Sequence, residues 1–292
     1  MNNWDEVRTA FQVARIGTVS GAAEVLGVHH ATVIRHIDAL ETSLGVKLFH
    51  RHARGYTPTE AGDDLLRVAQ TTEDQFSQLT ARLKGQGADV AGELVVTSLA
   101  GLGPLLVPTL SDFQRENPRV QVKLMTGPRL FRLEYGEAHV AIRAGSVPDQ
   151  PDNVVQPFIR QRVGLYASKD YVDREGKPES EADFDGHRFV SFDNPESRAP
   201  FNIWLRERVR EDQVTFRANA DNVLRDAVFA GAGMGFLPCW EVTGRDDLVQ
   251  VLPPRPEWES PLWLVTHVDL HRTTKVQAFL SFLKARSKEW AT

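Results

Sequence analysis

Cysteine is almost absent from this chain: Cys239 is the single one in 292 residues. No intramolecular disulfide can form, which suits a reducing compartment. No run of 18 apolar residues occurs, so no transmembrane helix and no membrane partner are expected. The opening MNNWDEVRTAF has no basic stretch followed by an apolar one. No signal peptide is therefore expected, and the expected location is cytoplasmic. Positive charge is not in excess either. A net charge of -5 argues against a polyanion binder over its whole surface, but a local basic patch can hide in such an average. Low-complexity tracts and short repeat periods are missing. So are the G-x-S-x-G elbow, the H-E-x-x-H zinc motif and a supported Cys/His pair, so no enzyme, cofactor or metal site is expected. What is there reads as an ordinary globular chain, 41% apolar and 25% charged, long enough for two or three domains.

Trp4, Val7, Phe11 and Ala14, with Ala10 beside them, recur on one helical face. Gly17 stops that helix and Thr18 can cap the next. There Val19, Ala22, Ala23 and Leu26 form a second stripe, and Gly27 suits a sharp turn. A third helix runs from about residue 30 with Val33, Ile37, Leu40 and Leu44 inward. Two helices crossing at a steep angle need a small residue at the crossing, a glycine in the turn and an apolar plug. Ala23, Gly27 and Val33 supply them in that order. This is helix-turn-helix logic, in which the second helix lies in the DNA major groove. Thr32, Arg35 and His36, with His29 and His30 at its start, then become side chains for base edges and phosphates. A plain three-helix core with a polar outside would account for the pattern equally well. The following stretch GVKLFHRHARGYTPTEAG tips the balance. It places an apolar strand (Val46 to Phe49), a turn RHARG, then Tyr56 and Thr57, as a β-hairpin wing. Arg51 and Arg54 at its tip can reach phosphates or the minor groove. Residues 1–57 hold six bases and five acids, but four of those bases fall on the third helix and the wing region.

The stretch AFQVARIGTVSGAAEVLGVHHATVIRHIDALETSLGVKLFHRHARGYTPTEAG closely resembles the N-terminal winged helix-turn-helix of LysR-type transcriptional regulators. The resemblance rests on AA-x-x-L in the second helix, TV-x-R-x-I-x-x-LE in the third, LGVKLF, an arginine in the wing and T-x-x-G after it. It implies double-stranded promoter or operator DNA as partner and a DNA-facing set of Thr18, Ser20, His29, His30, Thr32, Val33, Arg35, His36, Arg51 and Arg54. His29 and Ile34 stand where the family mostly has serine, and histidine is a poor helix cap. Five of the nine histidines (29, 30, 36, 50 and 52) lie here. No cysteine accompanies them and a hairpin cannot close a tetrahedron, so no metal is expected.

TPTE at 57–60 reads as a capping box with proline at the first helical position. Beyond it Leu65, Ala69, Thr72, Phe76, Leu79 and Leu83 make a heptad stripe that wants a partner helix. In the family this is the linker helix. The resemblance implies a homodimer through it, and often a homotetramer overall.

From residue 90 strands alternate with helices, as in a mostly parallel α/β sheet. Strands are expected at GELVVTS, VQVKLMTG, HVAIRAG and PLWLVTH, and helices at PLLVPTLSDFQREN, RLFRLEYGEA and KVQAFLSFLKARS. A second such unit begins at RVGLYASKDYV and continues through HRFVSF, QVTFRAN, NVLRDAVFAGAGMGFLP and LVQVL. Ligands of open α/β sheets bind at strand C-terminal ends. The candidates are Thr97, Ser98, Leu99, Ala100, Thr126, Gly127, Arg143, Phe192, Asn219 and the GAGMG turn with Gly233 and Met234. Arg143 would suit an anionic ligand. This half also resembles the LysR effector domain, through P-x-L-x-x-F-x-x-x-NP, GEAHVAIR and AGAGMGFLP. That domain is like a periplasmic binding protein, two α/β subdomains with a small organic effector between them.

The expected organisation is α/β overall. A mostly helical winged helix-turn-helix spans 1–57, a linker helix 58–87 and an effector domain 90–292. Subdomain I takes about 90–160 and 266–292, and subdomain II about 161–265. The expected function is a DNA-binding regulator modulated by an effector. An enzyme would not need residues 1–88, and a transport solute-binding protein would need a signal peptide.

Overall fold

The computed structural model describes residues 4–52, 55–83, 90–127 and 131–290. Three helices, α1 (Trp4–Ile16), α2 (Val19–Leu26) and α3 (His30–Leu44), come first. They bury Val7, Ala10, Val13, Ala22, Ala23, Val33, Ile37 and Leu40 together. Gly27 ends α2 at φ 66°, a left-handed conformation that a side chain would strain. Two members of the expected stripes lie outside: Trp4 is 65% exposed and Leu44 39%. The hairpin of β1 (Phe49–His52) and β2 (Gly55–Pro58) follows, antiparallel, with Arg51 opposite Tyr56.

The linker helix α4 (Glu60–Leu83) begins later than the TPTE pattern suggested. Thr57 and Pro58 remain in β2. The cap is Thr59, whose Oγ1 accepts from Gly62 N at 3.2 Å and donates to the Lys47 carbonyl at 2.7 Å. The strand pairing of Thr57 with His50 outcompetes an earlier helix start. α4 packs back along α1, with Arg15 3.7 Å from Glu73 and the Trp4 and Phe76 rings edge to face at 6.2 Å. The expected end of the linker at 87 and the side chains of Leu79 and Leu83 lie outside the described residues.

The remaining chain builds two lobes. The first holds a five-stranded sheet in the order β4 (Val120–Thr126), β3 (Gly92–Ser98), β5 (Val140–Ala144), β12 (Ser260–His267), β6 (Asn153–Gln161). The first three strands are parallel, while β12 runs antiparallel to β5 and β6. One face is covered by α5 (Gly103–Glu116) and by α11 (Thr274–Arg286), which follows the short α10 (Val268–His271). Leu94, Val96, Leu106, Phe113, Val276 and Phe279 form that core. His139 is structural: its Nδ1 accepts the Val95 amide at 3.0 Å, and its own amide bonds Val95 O.

The second lobe centres on β7 (Val163–Ser168), antiparallel to β10 (Gly235–Pro238) and β11 (Leu248–Leu252). Beside it β8 (Phe189–Phe192) and β9 (Val214–Ala218) pair in parallel, and a bridge at Phe189 and Met234 joins the two sets. α6 (Lys169–Glu175), α7 (Pro200–Arg208), α8 (Asp221–Phe229) and the short α9 (Cys239–Val242) complete it. Its core is aromatic: Trp204 stands edge-on to Trp258 at 5.0 Å and to Phe236 at 5.7 Å.

Three expectations need correction. The five-stranded sheet is mixed and the β10-β7-β11 sheet wholly antiparallel, rather than mostly parallel, because β7 and β12 each pair antiparallel on both sides. RLFRLEYGEA forms no long helix; only the single turn Leu133–Tyr135 appears among its described residues. Gly136 at φ 67° stops it at once. The return to the first lobe falls before Ser260, not at 266, since the whole of β12 pairs in the five-stranded sheet.

Candidate nucleic-acid interface and ligand cleft

His29 caps α3 despite its poor propensity: its Nδ1 accepts from Ala31 N at 3.3 Å. Its ring lies 4.1 Å from that of His30, and both side chains are exposed. Thr18 caps α2 through Gly21 N at 3.2 Å, and Ser20 is exposed on the same first turn. Thr32 and His36 are half-buried and Arg35 is exposed. His36 Nδ1 stands 2.9 Å from Thr9 Oγ1, whose hydroxyl is donated to Asp5 O at 2.6 Å. Thr9 therefore accepts from the imidazole, which orients the ring and leaves Nε2 outward. Val33 does not belong with these residues. It is fully buried as the apolar plug, so it presents nothing to a partner.

The basic residues sort themselves sharply. Glu41 has a side chain 1% exposed, yet it is ionised and fully engaged. It accepts from Lys47 Nζ at 2.6 Å, Leu48 N at 2.9 Å, Phe49 N at 3.3 Å and Arg51 Nη2 at 3.0 Å. Burial alone would raise its pKa, but the Lys47 bond, the Leu48 amide and Arg51 together hold it below the ordinary carboxylate value. Arg51 also bonds Asp38 at 2.6 Å and lies over Tyr56. It sits in β1, not at the wing tip, and joins the wing to α3. Arg54 lies outside the described residues. Arg35 has no ion pair among the described residues, and it remains the open cation of α3.

Between the lobes lies a cleft of about 590 Å³, within the range of small-molecule sites. Leu99, Ala100, Thr126, Gly127, Phe192 and Asn219 line it, as expected from the strand ends. Thr97 and Ser98 do not. Both are buried, 0% and 2% exposed, with hydroxyls that find no partner among the described residues. Arg143 is on β5 opposite Trp263 and does not line the cleft. Burial lowers its pKa. Gly233 and Met234 are absent from the lining as well. Met234 is fully buried, its backbone bonded to Arg188 and Val190. A Cβ on Gly233 would meet Arg188 O at 2.7 Å, so close backbone packing explains that glycine.

Charged and polar side chains that the strand-end rule missed line the cleft instead: Asp221, Glu241, Arg198, Asn202, Ser191 and Ser260. Arg198 and Asn202 belong to the segment before and within α7. The sequence signal for that helix is a proline at its first position, which marks a helix start but says nothing of a cleft. Asp221 opens α8 and reaches across to the first lobe. A Cβ on Gly101 would lie 3.2 Å from its Oδ2. Burial raises the Asp221 pKa against the pull of the Gly101 amide. Burial also raises Glu241, opposed by Arg225 at 3.9 Å and assisted by Asp221 and Asp226.

Comparison with known proteins covers both halves. A profile described as bacterial regulatory helix-turn-helix protein, lysR family, matches residues 4–63. A second, LysR substrate binding domain, matches residues 87–288. A transcriptional repressor of Pseudomonas aeruginosa (strain UCBPP-PA14) is 27% identical, over 97% of this chain and 92% of that protein. The transcriptional activator IlvY of Salmonella typhimurium (strain LT2) is 29% identical over 80% of this chain and 81% of its own. Among solved structures, CrgA of Neisseria meningitidis, a LysR-type transcriptional regulator, covers 100% of both chains at TM-score 0.58 and 24% identity. A full-length OxyR from Pseudomonas aeruginosa reaches TM-score 0.68 at 17% identity, over 97% of this chain and 95% of that one. These two likenesses show the fold.

Proposed function

Since the chain belongs to the LysR family of transcriptional regulators, we propose that it reads operator DNA through the exposed face of α3 and is switched by a small molecule in the interlobe cleft. The observation that carries the reading is Arg35. It is exposed and has no ion pair among the described residues, on a helix that Glu41 and Arg51 tie to the wing. A fixed helix with an exposed guanidinium suits guanine edges or phosphates in the major groove. His36, oriented by Thr9, and Thr32, His29, His30, Thr18 and Ser20 surround it.

The protein works as a homodimer through α4, which leaves Val68 54% and Phe76 57% exposed, and dimers place two reading helices on successive grooves. Winged domain 1–57, linker 58–87 and effector domain from 90 act as three units in the cytoplasm, without catalysis. No described helix is long and apolar enough to cross a membrane. Ligand binding shifts the balance of dimer arrangements and so the spacing of the two reading heads.

The test is a salt titration of binding to the DNA upstream of its own gene, with Arg35→Ala alongside. Arg35→Ala should weaken binding by about 1–3 kcal/mol if it reads a base, or lower the salt slope by about 1 if it meets a phosphate. A folded protein without sequence-specific binding at any salt would overturn the reading. Phe76→Glu should shift the sedimenting species toward monomer.

A further inference from the structure

The charged groups of the cleft are unevenly placed. Glu241 has a side chain only 10% exposed, and its one ion-pair contact among the described residues, to Arg225, is long at 3.9 Å. Asp221 lines the same cavity and adds to the negative field felt by Glu241. Neither carboxyl has a close cationic partner among the described residues. Nearby, Ser191 and Ser260 are 8% and 5% exposed, line the cavity, and have no hydrogen-bond partner for their hydroxyls among the described residues. Arg198, the one cation of the lining among the described residues, is exposed. Arg206 donates to Ser197 O at 2.8 Å and steadies the loop that carries it.

We infer that the ligand of this cleft is a small molecule bearing a protonated amine, held between the carboxylates of Asp221 and Glu241 with help from the Ser191 and Ser260 hydroxyls. This rests on the reading of the cleft as the effector site. Glu241 is largely shielded from solvent and its Arg225 partner is distant, while Asp221 lines the same cavity on its open side; both carboxyls have raised pKa values, Glu241 in part through the charge of Asp221. An ammonium group relieves both at once through charge-assisted bonds. An anion placed there would meet like charge at low dielectric. An acid group elsewhere on the same ligand has Arg198 in the same lining as its cationic partner, which makes amino acids and other zwitterions the first ligands to test. Asp221 also faces Gly101 of the first lobe. An amine bound to it therefore contacts the joint between lobes, where closure can be coupled to occupancy.

The experiment is calorimetric titration and thermal shift of the full-length protein against the standard amino acids, simple primary amines, their N-acetyl derivatives and matched carboxylates. At least one free amine should bind, and its N-acetyl derivative should bind about tenfold more weakly or worse, since acetylation removes the positive charge and its charge-assisted bonds and adds the bulk of an acyl group. Glu241→Gln and Asp221→Asn keep shape and should each weaken that amine about tenfold or more. Circular dichroism would verify that the variants fold. Equal affinity for the acetylated probes, binding of carboxylates alone, or no binding by any amine overturns the inference. A carboxylate that binds in the cleft and shifts operator affinity would sink the amine and leave the regulatory reading standing. An amine that binds without changing operator affinity would do the reverse.

Discussion

Arg51 of the wing donates to Glu41 of the reading helix at 3.0 Å, and Glu41 Oε1 accepts the backbone amide of Leu48 at 2.9 Å. One buried carboxylate thus joins α3, the segment leading into the wing and the wing itself. The two arginines that look equivalent in sequence, Arg35 and Arg51, divide their roles through this contact.

Removing Glu41 should be costly. Glu41→Ala leaves two backbone amides and two cations without their acceptor, and a loss of about 3 kcal/mol is expected. Urea unfolding would measure it, and a loss under about 1 kcal/mol would show the network to be solvated. The sign of the pH effect follows from the depressed pKa. The contribution is present in full above the unfolded carboxylate pKa and is lost as pH falls through the folded value. The gap between wild type and Glu41→Gln should shrink on going from about pH 5 to about pH 3.

Gly62 lies in the T-x-x-G signature for a steric reason. A Cβ there would sit 2.1 Å from Leu48 O and 3.1 Å from Pro58 Cβ, both set by the wing. Gly62→Ala should destabilise by about 1–3 kcal/mol and loosen operator binding by displacing the wing from α4. An unchanged melting midpoint would contradict this.

His29 works as a cap on a 3.3 Å bond, so its truncation should be mild. Expected is a loss of about 0.5–1 kcal/mol for His29→Ala and none for His29→Ser. Equal stability of the two variants would mean the capping bond contributes nothing.

Burial raises the Cys239 pKa, with Arg162 and Tyr166 only partly opposing it. Less thiolate is then present at neutral pH. Alkylation of the native protein should run at least about tenfold slower than for a free thiol. Labelling as fast as the unfolded chain would point to an open, reactive site.

Much of the fold was legible because it is local. The stripes of α1 to α3, the turn at Gly27 and the wing are written in spacings of three and four and in a few special residues. So were most strands of the two lobes, since apolar runs between turn residues mark them. β6 gives no strand signal of its own, because NVVQPFIRQ carries Pro157 and has no fully buried position. The mixed direction of the sheets was hidden too, since an apolar run reads the same whichever way its neighbour points.

The cleft divided along the same line. Strand ends located Leu99, Ala100, Thr126, Gly127, Phe192 and Asn219, because chain direction alone sets which end of a parallel strand faces a ligand. Whether a side chain there points into the cavity or the core depends on register and twist, which sent Thr97, Ser98 and Arg143 elsewhere. Val33 and Arg51 illustrate the same limit in the reading head: composition places them near DNA, but packing and an ion pair decide what they touch. Spacing along the chain determined which elements exist, since periodicity is a property of neighbours in sequence. Only the tertiary structure brought Asp221 and Glu241 to one cavity and left Arg35 without an ion pair among the described residues, because charge pairing is settled between segments far apart in the chain.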